Sequence, residues 1–166
     1  DRKMRALGTP YGKILDTATG LGYTAIRAAK TAQRVFTVEI DPVVRSICRM
    51  NPWSQGLFNN PRITQIIGDS WDIAHFFPNE SLNAIIHDPP TFNLAGHLYS
   101  QTLYETFHRI LKENGRLYHY IGDPDSRSGV SVGRGVVDRL TQTGFEVIPK
   151  GAAFGVLAKK TSRLFP

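Results

Sequence analysis

In ILDTATGLGYTAIRAA, Ile14 to Ala29, an acid ends an apolar run and is followed by two glycines and then by a helix-like pattern. Glycines at such a turn let the backbone approach a ligand and place it on a helix N-terminus. The turn therefore fits either the pyrophosphate of a dinucleotide or the amino-acid end of S-adenosylmethionine. Gly20, Gly22 and Ala25 satisfy the spacing G-x-G-x-x-A, which alone does not separate the two. Asp16, just before them, does: its carboxylate repels a diphosphate and tolerates a zwitterion carrying an ammonium. Two further acids follow the next two β-rich runs. Glu39 stands where a carboxylate accepts both hydroxyls of a ribose, and Asp69, in IIGDSWD, where one accepts from the exocyclic amine of adenine while Trp71 or Ile67 covers the ring. Any one of these residues is equally a turn former or a helix cap. Together they point to a ligand.

These residues need a frame that brings strand ends together. KILD, RVFTVEI, RITQIIG, LNAIIHD and GRLYHYIG are each followed by a helix-like or polar segment, the signature of βαβ units in a parallel sheet. FEVIPKGAAFGVLAKK reads as a terminal hairpin that makes the last strand antiparallel. TAIRAAKTA, PVVRSICRM and LYSQTLYETFHRILKENG read as helices, the second opening on Pro42 and the third stopping at Asn114 and Gly115. Gly122 to Gly135, rich in glycine and serine, reads as a mobile connection or a substrate lid. The expected fold is α/β, a doubly wound sheet of about seven strands with helices on both faces and a ligand outside the carboxyl ends of the strands.

At 166 residues the chain fits one domain, and its 41% hydrophobic and 20% charged residues exclude a disordered chain. Cys48 is the single cysteine, so no internal disulfide forms and no Cys/His metal cluster is expected; a reducing cytoplasm fits best. No apolar run is long enough for a membrane span. A net charge of +6 favours an anionic partner such as RNA. The chain opens on Asp1, and DRKMRALG runs straight into the first strand, so an upstream segment is expected to be missing. Oligomeric state is not legible.

ILDTATGLG, VEID, GDSWD and HDPPT, in that order, resemble the successive motifs of class I S-adenosylmethionine-dependent methyltransferases over about Leu7 to Lys160. The resemblance implies a Rossmann-like sheet of order 3-2-1-4-5-7-6 with strand seven antiparallel, and S-adenosylmethionine as cofactor. On these motifs the cofactor-binding residues are Asp16, Thr17, Ala18, Gly20, Gly22, Glu39, Ile40, Gly68, Asp69, Ser70 and Trp71. Ala18 replaces a glycine more usual in the family.

HDPPTF follows the fourth strand and is similar to the motif of amino-methyltransferases in which Asp, Asn or Ser precedes two prolines and an aromatic. The resemblance makes Asp88, Pro89, Pro90 and Phe92 the catalytic set. The Asp88 side chain and the Pro89 carbonyl accept from an amino group and aim its lone pair at the methyl, while the prolines stiffen the loop. Thr91 stands where the aromatic is expected and Phe92 one residue later. The same combination is similar to a little-characterised archaeal and bacterial group that also resembles spermidine synthases, which keeps aminopropyl transfer as the alternative, beside a cofactor-binding module without activity. The second acid expected before the Asp-Pro step in that chemistry is not seen in NAIIHDPP.

His97 and Tyr99, after this motif, are candidate substrate contacts with Thr91, and Arg127 and Arg134 candidate phosphate contacts. His87 and His119 read as hydrogen-bonded structural residues. NPWS, Asn51 to Ser54, imitates the amino-methyltransferase motif but follows a helix, so it reads as a cap.

Overall fold

The structure, a computed structural model, describes residues 2–123 and 127–161, without the side chains of 127–129. Its central strands alternate apolar residues between two cores. In β1 (Lys13–Asp16) and β4 (Leu82–His87), Ile14, Ala84 and Ile86 enter one core and Leu15 and Ile85 the other. β2 (Arg34–Glu39) divides Val35 from Val38 in the same way, and β5 (Leu111–Tyr120) divides Tyr118 from Leu117. Burial on both faces requires cover on both faces, as parallel sheets have.

The first core is covered by α1 (Arg2–Leu7), α2 (Tyr23–Ala28) and α3 (Pro42–Met50), through Met4, Leu7, Ala25, Ala28 and Cys48. The second is covered by α4 (Ser70–His75), α5 (Gln101–Ile110) and α6 (Arg127–Gln142). Leu103, Phe107 and Ile110 of α5 are completely buried, each stabilising the fold by roughly 2 kcal/mol.

With β3 (Ile63–Ile67), β6 (Phe145–Lys150) and β7 (Gly155–Lys160), the sheet has seven strands in the order β3-β2-β1-β4-β5-β7-β6. The first five run parallel, and β7 is antiparallel to both β5 and β6. This is the expected Rossmann-like topology. The strand order reverses between β1 and β4, which makes the crevice at their carboxyl ends the ligand position. Asp16 ends β1, Glu39 ends β2, and Asp69 and Asp88 follow β3 and β4 at the same edge.

Two elements differ from the sequence reading. The stretch read as a mobile connection is largely α6: Val132, Val136 and Leu140 recur at helical spacing and pack on the second core, and this outweighs the glycines and serines between them. The helix read as far as Asn114 ends at Ile110. Leu111 already pairs with Leu82, and the register shifts before Ala84 pairs with Arg116, so the intervening polar residues bulge outward, with Asn114 at φ 61°. Among the described residues no helix is long and apolar enough to cross a membrane.

Candidate active site

The glycine turn is held from below. Thr17 N donates to Ile86 O at 3.0 Å and Thr19 N to Val38 O at 2.8 Å, tying the turn to both neighbours of β1. Gly22, at φ 78°, starts α2, and a Cβ there would lie 2.2 Å from Leu57, so only glycine fits. Gly20, at φ 48°, has nothing within 4 Å of the position of a Cβ. That open side faces a cleft of about 730 Å³, which spans Ala18 to Thr24, Glu39, Ile40, Gly68 to Ser70 and Asp88 to Pro90. The size suits a nucleoside-bearing cofactor.

Asp16 lies beneath this floor, completely buried. Its Oδ2 accepts from Thr37 Oγ1 at 2.9 Å, and its Oδ1 has no hydrogen-bond partner. Burial pushes its pKa up to about 7, against the opposing Thr37 hydrogen bond and with some help from the Asp88 charge. Asp16 does not itself line the cleft, whereas Thr17 and Ala18 after it do, so its orphaned oxygen acts from behind the turn and favours a positively charged group there. It does not suit a pyrophosphate.

Glu39 and Asp69 stand on the cleft wall with part of their capacity used. Glu39 accepts from Gly20 N at 3.0 Å and Asp41 N at 3.1 Å, which fixes its carboxylate and leaves further lone pairs. Asp69 caps α4 by accepting from Trp71 N at 2.7 Å, and its other oxygen meets His97 Nε2 at 3.0 Å. His97 therefore sits on the Asp69 side of the cleft, half-exposed. Trp71 does not line the cleft: its ring packs on the second core and lies 4.5 Å from that of His75. Ile40, 63% exposed, is the apolar side chain beside Glu39 that lines the wall.

The loop after β4 is fixed by side chains that leave Asp88 accessible. His87 is completely buried, and its Nε2 meets Leu98 O at 2.8 Å while its Nδ1 meets Thr17 Oγ1 at 2.7 Å. A carbonyl only accepts, so Nε2 carries the proton and Nδ1 accepts from the Thr17 hydroxyl. Burial lowers the His87 pKa to about 4. His119 is arranged in the same way between Tyr120 O and the Tyr104 hydroxyl, its pKa pushed down by burial and by neighbouring His87. Ser70 Oγ donates to Thr17 O, so the Thr17 and Ser70 side chains are spent on the scaffold and face the ligand through main chain.

Tyr99 donates its hydroxyl to Pro90 O at 2.9 Å and holds the proline step in place. Burial pushes its pKa up to about 12, so the donor proton stays. Phe92, 45% exposed, stands edge-on to Tyr99 with ring centroids 5.4 Å apart. Thr91, Phe92, Tyr99 and Pro89 line a second, smaller cleft of about 290 Å³ together with Tyr120. Asp88, 28% exposed at its side chain, lines the main cleft and is bonded by the Lys3 ammonium from α1. Lys3 was absent from the sequence reading, because nothing local links it to a residue so far along the chain. The Arg127 side chain lies outside the described residues, and Arg134 is exposed on α6. Asn51 caps the turn Pro52–Leu57 by accepting from Trp53 N at 3.1 Å, as its position after a helix indicates, and its Nδ2 donates to the hydroxyl of Tyr23, a residue of the cleft lining.

The comparisons agree with this architecture. No family model matches the sequence. An uncharacterised protein of Methanocaldococcus jannaschii is 43% identical over 161 residues, 95% of this chain and 56% of that protein. Polyamine aminopropyltransferase 2 of Streptomyces coelicolor is 27% identical over 74% of this chain and 24% of its own, and putrescine N-methyltransferase 2 of Nicotiana tabacum 29% identical over 62% and 30%. A spermidine synthase bound to a transition-state analogue superposes with a TM-score of 0.77 at 19% identity, covering 96% of this chain and 58% of that one. A Listeria monocytogenes protein assigned to the S-adenosylmethionine-dependent methyltransferases does so with a TM-score of 0.71 at 12% identity, covering 96% of both. The chain thus spans little more than half of the archaeal relative and less of the other two. By topology and by these likenesses, the chain has the Rossmann-like fold shared by class I S-adenosylmethionine-dependent methyltransferases and spermidine synthases.

Proposed function

We propose that the chain transfers the methyl group of S-adenosylmethionine to an amino nitrogen, of a nucleobase in RNA or DNA or of a small amine. The observation that carries this is Asp88: a part-exposed carboxylate on a proline-stiffened loop at the β1/β4 crevice, already accepting from an amine in this structure. The bound cofactor supplies an activated methyl on sulfonium. Gly20, Glu39 and Asp69 bind and orient it, with Asp16 favouring its ammonium from behind the turn; Asp88 holds the acceptor N–H and takes up its proton. Because the methyl is activated in advance, positioning supplies most of the acceleration.

Aminopropyl transfer from decarboxylated S-adenosylmethionine is the second reading, favoured by the polyamine aminopropyltransferase likeness. Incubating the chain with methyl-labelled S-adenosylmethionine and, separately, RNA, DNA, 1,4-diaminobutane and spermidine tests the two. Label is expected in one of these acceptors, and in RNA with a steep decline as salt rises. Product formed from the decarboxylated cofactor alone would overturn the methyl-transfer reading.

A further inference from the structure

Lys3 is the one lysine or arginine among the described residues that line the main cleft. Its α1 is pinned to the first core by Met4 and Leu7, so the ammonium is presented from a fixed element. Its Nζ donates to Asp88 Oδ2 and lies 4.9 Å from the centroid of the Tyr120 ring. The two paired side chains are 30% and 28% exposed, which leaves the pair partly shielded from water. On the reading above, Asp88 is the group that receives the acceptor nitrogen, so the chain's own ammonium already stands there.

That occupant acts differently on different acceptors. A polyammonium that bonds the free lone pairs of Asp88 stands beside the positive charge of Lys3, and one that takes its place breaks the Lys3–Asp88 pair. An uncharged amino group needs only a free lone pair, and a carboxylate has several over its two oxygens. The second cleft, which shares Pro89 with the first, is lined by Phe92, Tyr99 and Tyr120 with Asn93 and Asp123; Phe92 is the exposed ring, Tyr99 is buried edge-on behind it, and Lys3 stands over the ring of Tyr120. An exposed ring such as Phe92 stacks on planar bases.

We propose that Lys3 is a specificity-determining residue: by holding Asp88 it turns cationic alkylamines away and leaves the site to an uncharged, planar amine of the nucleobase class. The proposal rests on the reading of Asp88 as the acceptor's partner. Calorimetric titration of 1,4-diaminobutane into the 166-residue chain, Lys3→Met and Lys3→Arg tests it, each with and without S-adenosylhomocysteine. The methionine variant keeps the stem and loses the charge; it is expected to bind the diamine at least about tenfold tighter than the original chain. The arginine variant keeps the charge and is expected to bind it as weakly as the original. Equal affinities in all three proteins, or tight binding to the original chain that Lys3→Met weakens, would overturn the proposal. Failure of all three to bind S-adenosylhomocysteine would contradict the cofactor reading instead, and the titrations without it would still report on Lys3.

Discussion

Asp88→Ala is expected to lower turnover by about a thousandfold while cofactor affinity changes by less than about threefold. The asymmetry follows from position. Asp88 stands on the loop after β4, whereas the glycine turn, Glu39 and Asp69 belong to the β1, β2 and β3 side of the same cleft. Removing the carboxylate takes away the acceptor for the amine N–H and the sink for its proton. The loop itself stays, because Pro89 is buried, Tyr99 holds Pro90 O and His87 anchors the end of the strand. Asp88→Asn keeps a carbonyl acceptor without the charge, so an intermediate loss is expected. Single-turnover transfer beside a cofactor titration reads both effects; activity within tenfold of the original in Asp88→Ala would remove Asp88 from the mechanism.

Two buried groups under the cleft give opposite dependences of stability on pH. Asp16 titrates near 3.8 when unfolded and about 7 when folded, so its neutral form is favoured by folding. The stability it contributes is complete below pH 4 and is lost as pH rises to 7, by an amount on the order of 4 kcal/mol. His87 falls from 6.5 to about 4 on folding, so its contribution is complete above pH 6.5 and is lost as pH falls to 4, by about 3 kcal/mol. Over the shared range these two slopes nearly cancel, and the buried His119, its pKa likewise pushed down, leaves the original chain's stability climbing with pH below about 6.5. Asp16→Asn keeps an oxygen for Thr37 and removes the titration. Its denaturation midpoint should therefore rise relative to the original between pH 4 and 7, and its own profile should climb more steeply over that range, through His87 and His119. Parallel profiles for the two proteins would show that Asp16 does not titrate as its burial demands.

The sheet was legible because its signals are local. Period-two runs, the acids that end them and the terminal hairpin correspond to observed strands, though the hairpin turns at Gly151 to Phe154, with Pro149 and Lys150 still in β6, and the motif order implied the observed strand order. Asp69 keeps its cap reading, with one oxygen accepting from Trp71 N, while the other meets His97 Nε2 at the cleft wall. α6 was hidden because composition obscured a stripe of Val132, Val136 and Leu140, which only packing reveals. The true end of α5 was hidden because Asn114 does turn left-handed, but within a bulge of β5. The engagement of Asp88 by Lys3 and the retreat of Trp71 into the core are tertiary facts, with no spacing that announces them.

The central claim is that the cleft at the β1/β4 crevice takes S-adenosylmethionine. It is tested most directly by calorimetric titration of the chain with S-adenosylmethionine, S-adenosylhomocysteine, decarboxylated S-adenosylmethionine and NAD in parallel. Binding of the first two, with the decarboxylated form and NAD at least about tenfold weaker, is the predicted result. Preference for the decarboxylated form would establish the aminopropyl reading, and binding of NAD alone would contradict the role given to Asp16.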